Sequence, residues 1–307
     1  MMIAASLMMT VHSAAASPRM ISVVAGPPEF REKLASAPGH PFIIDARVGA
    51  NALGGTNIIF SAVRSGALDV AVLNGGVVGA VVPELSVFDI PFLFRDEAHA
   101  KAVMQGPIAA QIAPKFADKG LVLLALGKQG FRHMTNSKRP IRTPADLKGL
   151  TMRVIPNETY KMAFQALGAQ VVPMDFQLVY GALKDGRLDG EENPLVTISD
   201  SHFDEVQKHL TLTGHFFAPM VFMANRAMYE QLSPAEREAL VVAAKVGAEA
   251  TWLEQTDAAK LKELRAAGMD VVENVDRQAF ADAVKSLDPE FEKRFGKELI
   301  ATIRSTQ

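Results

Sequence analysis

Short apolar runs alternate along the chain with stretches whose apolar residues recur every three or four positions, a pattern that predicts strands and helices taking turns. From residue 20, ISVVAG reads as a strand, PPEFREKLAS as a short helix with proline in its first turn, and PFIIDARVG as a strand. TNIIFSAVRSG then predicts a helix ending at Gly66, LDVAVLN a buried strand, and LVLLALG a strand where the chain leaves its first half. The second half repeats the grammar. Thr143, Pro144 and Asp146 come close to a capping box, LTMRVI alternates as a strand, and NETYKMAFQALG reads as a helix capped by Asn157 and ended by Gly168. AQVVPM follows as a strand and FQLVYGALKDG as a helix. Two copies of one grammar predict an α/β fold of two lobes with mainly parallel strands.

The repeat is visible at residue level. AVRSGALDVAVLNG (Ala62 to Gly75) and ALKDGRLDGEENP (Ala182 to Pro194) share Ala, an aliphatic, a basic residue, Ser or Asp, Gly, any residue, Leu and Asp. Each places an Asn four or five residues beyond the Asp, where a strand gives way to a loop. In the last third, Ser233 and Glu236 around Pro234 open a helix with no stop before Gly268. Roughly thirty or more residues at about 1.5 Å each make a rod of about 50 Å, which outreaches one lobe and is expected to lie along both. A break near Gly247 is the alternative reading.

Composition narrows the function classes. In 307 residues, 32 basic and 34 acidic side chains give a net charge of −2, and no run of like charge or aromatic-laced basic segment offers a footprint for nucleic acid. The absence of Cys excludes disulfides and thiolate chemistry. MMIAASLMMTVHSAAAS is an apolar run ending in an A-x-A pattern, so residues 1–16 are expected to be a signal peptide and the mature protein extracytoplasmic. Beyond residue 17 no apolar run approaches the roughly 18 residues that span a bilayer. Signatures of nucleophile elbows, phosphate loops, zinc proteases and dinucleotide folds are missing, so neither a cofactor nor a metal is expected.

Arg153, on the strand LTMRVI, shares a face with Thr151 and Ile155 opposite the apolar Leu150, Met152 and Val154. A cation near the end of such a strand faces the crevice where α/β sheets bind ligands, and its planar fork suits a carboxylate; a surface or internal salt bridge is the plain alternative. Arg132 reads from the pattern as more often solvated than guarding a cleft. Asn193 offers an amide to a ligand or braces its own turn. Asp189, Glu191 and Glu192 read mainly as polar groups of a helix end and hinge, because adjacent Glu191 and Glu192 face opposite ways on a strand. Phe176, Phe216 and Phe217 hint at apolar contact, though Phe is more often core than pocket.

At DIPFLFRDEAHA (Asp89 to Ala100), RPIRTPADLKGLTMRV (Arg139 to Val154) and GRLDGEENP (Gly186 to Pro194), the chain resembles the DctP-like solute-binding proteins of tripartite ATP-independent periplasmic (TRAP) transporters. The likeness runs from about residue 41 to the C-terminus. It implies a periplasmic binding protein with two α/β lobes, crossing segments and a long helix spanning both, which captures an organic acid and delivers it to the small and large membrane subunits of a permease. It also implies that Arg153 binds a carboxylate and that Arg132 is a second cleft Arg. Asn193 resembles a cleft Asn, Phe176 a pocket residue and Asn74 part of the first lobe's cleft wall. Residues 17–129 plus about 213–250 would form the first lobe, and 130–212 plus about 251–307 the second. The chain departs from the family in its short helix after the first strand. A monomer without catalysis is expected; an exported hydrolase using Asp189, Glu191 or Glu192, and a sensor or orphan binding protein, are the competing readings.

Overall fold

The computed structural model describes residues 17–47, 55–253 and 256–307. The expected signal peptide, residues 1–16, lies outside the described residues. Among the described residues nine strands form one sheet: β1 (Arg19–Val24), β2 (Phe42–Arg47), β3 (Val70–Asn74), β4 (Leu121–Asn136), β5 (Thr151–Val154), β6 (Gln170–Pro173), β7 (Gly190–Pro194), β8 (His209–Asn225) and β9 (Asp270–Val272). They run in the order β2-β1-β3-β8-β4-β7-β5-β6, with β9 paired to β8. In the first half the helices are α1 (Pro28–Ala35), α2 (Thr56–Ser65), α3 (Gly75–Gly79), α4 (Glu97–Met104) and α5 (Pro107–Ala117). Then follow α6 (Glu158–Ala166), α7 (Val179–Lys184), α8 (Leu195–Asp200), α9 (Arg226–Glu230), α10 (Pro234–Leu253), α11 (Thr256–Ala266), α12 (Arg277–Val284), α13 (Asp288–Phe295) and α14 (Lys297–Ser305).

The two longest strands organise the sheet. At about 3.3 Å per residue, β4 and β8 each reach roughly 50 Å and pair antiparallel along their length. Near one end β8 takes β3, with Val70 opposite Ala224 and Asn74 opposite Met220. Towards the other end β4 takes β7, with Arg132 opposite Pro194 and Asn136 opposite Gly190. Each lobe therefore hangs from one end of a shared ribbon. Only 121–127 of β4 read as a strand in the sequence, and β8 was not anticipated. Pro219, Gly127 and Gly130 interrupt the apolar runs, whereas the ladder absorbs such residues at register shifts, including the one between Lys128 and Gly130.

Most of the local punctuation holds. α2 ends at Gly66 with φ +81°. Asn157 caps α6, its side chain accepting from the Thr159 N–H at 2.9 Å. Ser233 donates its N–H to Glu236 at 2.7 Å, and the Glu236 N–H donates back to the Ser233 hydroxyl at 3.3 Å. Thr143 begins a single 3-10 turn, Pro144–Leu147, with the capping box in place. The expected long helix is described as α10 and α11 on either side of residues 254–255, the first packing Leu240, Ala244 and Ala248 into a first-lobe cluster and the second packing Leu264 into a second-lobe cluster. Gly247 does not break α10. It permits close approach to α1, where an added Cβ would lie 2.6 Å from the Cβ of Phe30.

The repeated Gly-x-Leu-Asp motif does the same work twice. After each Gly a buried Leu, Leu68 or Leu188, enters a core, and the Asp beside it binds the neighbouring strand. Asp69 accepts from the Ser22 N–H at 2.7 Å and the Ser22 hydroxyl at 2.8 Å; Asp189 accepts from the Thr151 N–H at 2.8 Å. The end of the chain departs from the expected lobe division. Phe291 of α13 and Ile300 and Ile303 of α14 are buried with Phe88 and Phe94 of the first lobe, not with the second. Arg95 fastens this return by donating to the carbonyls of Arg304 at 2.9 Å and Thr306 at 2.7 Å, placing a cation at a helix C-terminus.

Asp189→Ala strands the Thr151 N–H and should lower unfolding free energy by about 1 to 2 kcal/mol. Urea denaturation checks this, and an unchanged midpoint would contradict it.

Candidate functional site

A cavity of about 500 Å³ lies where the lobes face each other across the ribbon. Ala25, Asn74 and Val77 come from the first lobe, Gln129, Arg132 and Met220 from the long strands, and Arg153, Ile155, Phe176, Asn193 and Thr197 from the second lobe. The five residues singled out in the sequence, Arg153, Arg132, Asn193, Phe176 and Asn74, all line it. Across it, Asn57 of α2 donates its amide to Asp175, so the lobes are in contact.

Arg153 stands on β5 with Met152 and Val154 turned into the core beside it, and is itself only 2% exposed. Its Nε donates to the Met174 carbonyl at 2.9 Å, and its Cζ lies 5.9 Å from the centre of the Phe176 ring. Its Nη1 is buried without a hydrogen-bond partner, and no carboxylate among the described residues forms an ion pair with it. Burial without a close counter-ion lowers its pKa to about 10, the charge of Glu192 pulling the other way.

Arg132 is fully buried, contrary to the solvated placement that the pattern favoured. The reason is the length of β4, which carries Arg132 into the sheet between Pro194 of β7 and Phe216 of β8. Its Nε donates to Glu192 Oε2 at 2.6 Å and its Nη2 to Glu192 Oε1 at 2.9 Å and to Asn193 Oδ1 at 3.0 Å. Nη1 alone is left without a partner. Glu191 and Glu192 likewise differ from their expected place at a helix end and hinge: both are wholly buried in β7. They do face apart. Glu192 meets Arg132 and lies 3.3 Å from His215 Nε2, whereas Glu191 accepts from the Thr135 hydroxyl at 2.8 Å and from the Asn193 amide at 2.5 Å.

Burial opposes the ionisation of Glu192, but the charge and hydrogen bonds of Arg132 outweigh it and hold the carboxyl below its ordinary range. Glu191 forms no ion pair with a cation among the described residues. Burial pushes it up to about 7 against the hydrogen bonds of Asn193 and Thr135. Asn193 has both ends of its amide committed, to Arg132 and to Glu191, and so braces the arginine. Asn74 caps α3 by accepting from the Gly76 N–H at 2.8 Å and donates to Gln129, which in turn donates to the Thr197 hydroxyl at 3.3 Å.

Phe176 packs on Phe203 at 5.9 Å while its face meets Arg153. Phe216 and Phe217 belong to the core, at 4.4 Å from Tyr160 and 5.7 Å from Trp252 respectively. Ala25, at φ +59°, puts the loop after β1 on the cavity wall despite the short helix behind it. Sequence reasoning missed the polar cluster behind the site. There the Asn157 amide donates to the Gly76 carbonyl and the Ser86 hydroxyl at 2.9 Å each, and the Tyr160 hydroxyl donates to Asp89 at 3.2 Å, joining the second lobe to the first. The only trace in the sequence was Asp89 within DIPFLF, a charge in an apolar run.

Two α/β lobes facing each other across a cavity lined by a buried arginine that forms no ion pair among the described residues are the architecture of a small-molecule binding protein. The match to known proteins is specific. The model of the family described as bacterial extracellular solute-binding protein, family 7 (DctP), covers residues 46–294, and the chain belongs to that family. A solute-binding protein of Verminephrobacter eiseniae is 42% identical over 258 residues, covering 83% of this chain and 77% of that one. The crystal structure of a TRAP periplasmic solute binding protein from Bordetella bronchispeptica superposes with a TM-score of 0.90 at 36% identity, covering 94% of this chain and 99% of that one. Another, from Polaromonas sp. JS666 and bound to D-erythronate, gives 0.88 at 35% identity with the same coverage.

Glu191 binds its proton more tightly in the folded chain than its ordinary pKa of 4.5 allows, so between about pH 4.5 and 7 the folded state holds more protons and stability falls as pH rises. Asp89, raised to about 7 by burial, acts the same way. Glu191→Gln removes one share, so unfolding free energy should drop less between about pH 5 and pH 8 than in the wild type. Equal drops in urea titrations would contradict the assignment.

Proposed function

We propose that this protein is the extracytoplasmic solute receptor of a TRAP-type transporter, capturing an organic acid by its carboxylate between the two lobes and presenting it to the small and large membrane subunits of the permease. One observation carries the reading: Arg153 is a buried cation that forms no ion pair among the described residues and keeps an Nη1 without a hydrogen bond, in a cavity between two lobes. A ligand carboxylate would supply the missing charge through paired hydrogen bonds. Phe176 would pack against the ligand beside Arg153, Asn74 would form the first-lobe wall, and Asn193 would hold Arg132 in place. The family and the relative that binds D-erythronate support an organic acid as cargo. A periplasmic site of action fits both the family and the apolar N-terminus, and no helix among the described residues is long and apolar enough to cross a membrane. The bound acid would leave chemically unchanged, as a monomeric carrier requires.

The test is a thermal-shift screen against organic acids with Arg153→Ala alongside. A cognate acid at about a hundred times its Kd should add about 2.7 kcal/mol of stability to the wild type. Arg153→Ala should bind that acid roughly tens to thousands of times more weakly, because a desolvated carboxylate is left unpaired. A mutant that binds within threefold of wild type would refute the site, and recovery of an altered acid would refute a purely carrying role.

A further inference from the structure

We infer that Asp89 is a positioning residue for ligand capture: with Asn157 and Tyr160 it forms a lock between the lobes that takes up a proton when they close on an acid. The inference rests on the receptor reading above and concerns what holds the closed form together.

The lock lies where helices carry the two cavity walls away from the ligand. Asn74 ends β3 on the first-lobe wall and caps α3, while the strand of Arg153 leads through Ile155 to Asn157, the cap of α6. The two helices meet behind the cavity, and the glycines of α3 let them approach closely: a Cβ on Gly76 would stand 3.0 Å from both Ile155 Cδ1 and Tyr160 Cε2. Across this contact the Asn157 amide donates to the Gly76 carbonyl, to the Ser86 hydroxyl and, at 3.3 Å, to Asp89 Oδ2. The Tyr160 hydroxyl donates to Asp89 Oδ1 at 3.2 Å. Ser86 and Asp89 belong to the 3-10 turn Pro83–Asp89 of the first lobe, and all four side chains are buried. An acid that bridges the Asn74 wall and Arg153 therefore draws together the starts of both helices, and with them the two halves of this cluster.

Joining the halves takes Asp89 out of water. Burial raises its carboxyl to about 7, against the hydrogen bonds of Ser86 and Tyr160 and the charge of Arg132, with Glu192 adding to the rise. Of the groups on the elements packed around it, His215 of β8 is kept neutral by burial, and Arg294 of α13 donates to Thr159 at 3.5 Å. Glu158 and Lys161 of α6 pair with each other at 3.6 Å, and Glu84 pairs with Lys115 of α5 at 3.8 Å. Glu191 is also raised to about 7, but its partners Thr135 and Asn193 lie on the paired strands β4 and β7, so closure leaves its surroundings in place. Asp89 alone of the two divides its partners between the lobes. With the lobes apart its carboxyl returns towards the ordinary value of 3.8, so between about pH 4 and 7 the closed form holds more protons, and closure weakens as pH rises.

The test is calorimetric titration with D-erythronate, or with the first acid that raises the melting temperature in the screen above, at pH 5 to 8 and in buffers of different ionisation heat. The wild type should bind at least about tenfold more weakly at pH 8 than at pH 5, and at pH 7 take up about half a proton per acid bound. Asp89→Asn should lose most of that uptake and bind with nearly equal affinity at both ends of the range, changes that a loss of packing alone does not produce. Gly76→Ala keeps every polar side chain and wedges the contact apart, so it should weaken binding and lower the uptake together; it replaces Asp89→Asn should that variant fail to fold. Equal wild-type affinity at pH 5 and pH 8, or wild-type proton uptake in either variant, overturns the inference, and the receptor reading stands as long as Arg153→Ala loses the acid. If Arg153→Ala binds like the wild type, or if no acid binds, both fall.

Discussion

Everything in this molecule is referred to the antiparallel pairing of β4 with β8. The two strands form a ribbon that neither lobe owns: β3 is added near one end, β7 towards the other, and the cavity lies between those additions. Register shifts at Lys128/Gly130 and Arg132/Met134 fall where Gln129 and Arg132 reach the cavity. A bulge turns a side chain out of strict alternation, which lets one strand serve a core and a binding wall within a few residues.

The ribbon also sets the electrostatics. A strand buried on both faces offers water to neither, so every charge on it needs a partner or a changed pKa. Arg132 and Glu192 solve this mutually across β4 and β7, Glu191 solves it by rising towards neutrality, and Asp89 does likewise beside Tyr160 and Asn157. Arg153 forms no ion pair among the described residues, and burial lowers its pKa only to about 10, so it stays charged. In a medium of low dielectric, the leftover charge is where an anion gains most.

Much of this was legible in the sequence, for physical reasons. Glycine stops, Asn and Ser caps and apolar alternation are local, so α2, α6, α10 and β5 could be read directly, and the doubled Gly-x-Leu-Asp motif exposed the two lobes and put Asn74 and Asn193 at matching strand ends. Alternation in LTMRVI also singled out Arg153. What stayed hidden was long-range. Nothing local tells that β4 continues through Gly130, and without that continuation Arg132 looks solvated and Glu192 looks like a turn residue. The polar cluster of Asn157, Ser86 and Asp89 joins residues about seventy apart in sequence. The destination of the last two helices was likewise invisible, because an amphipathic helix shows that it has a buried face without naming its partner.

That destination affects the order in which the protein can be completed. The hydrophobic cluster begun by Val24 and Ile59 is not whole until Phe291, Ile300 and Ile303 arrive from the far end of the chain. The second lobe's clusters draw on nothing beyond Val284 and its neighbour Leu287, so they are fully encoded while the first lobe still lacks part of its own interior. During synthesis, domains generally fold as units from the N-terminus. Here the lobe that starts first is finished last, and the chain keeps apolar surface open until its final two helices have been made.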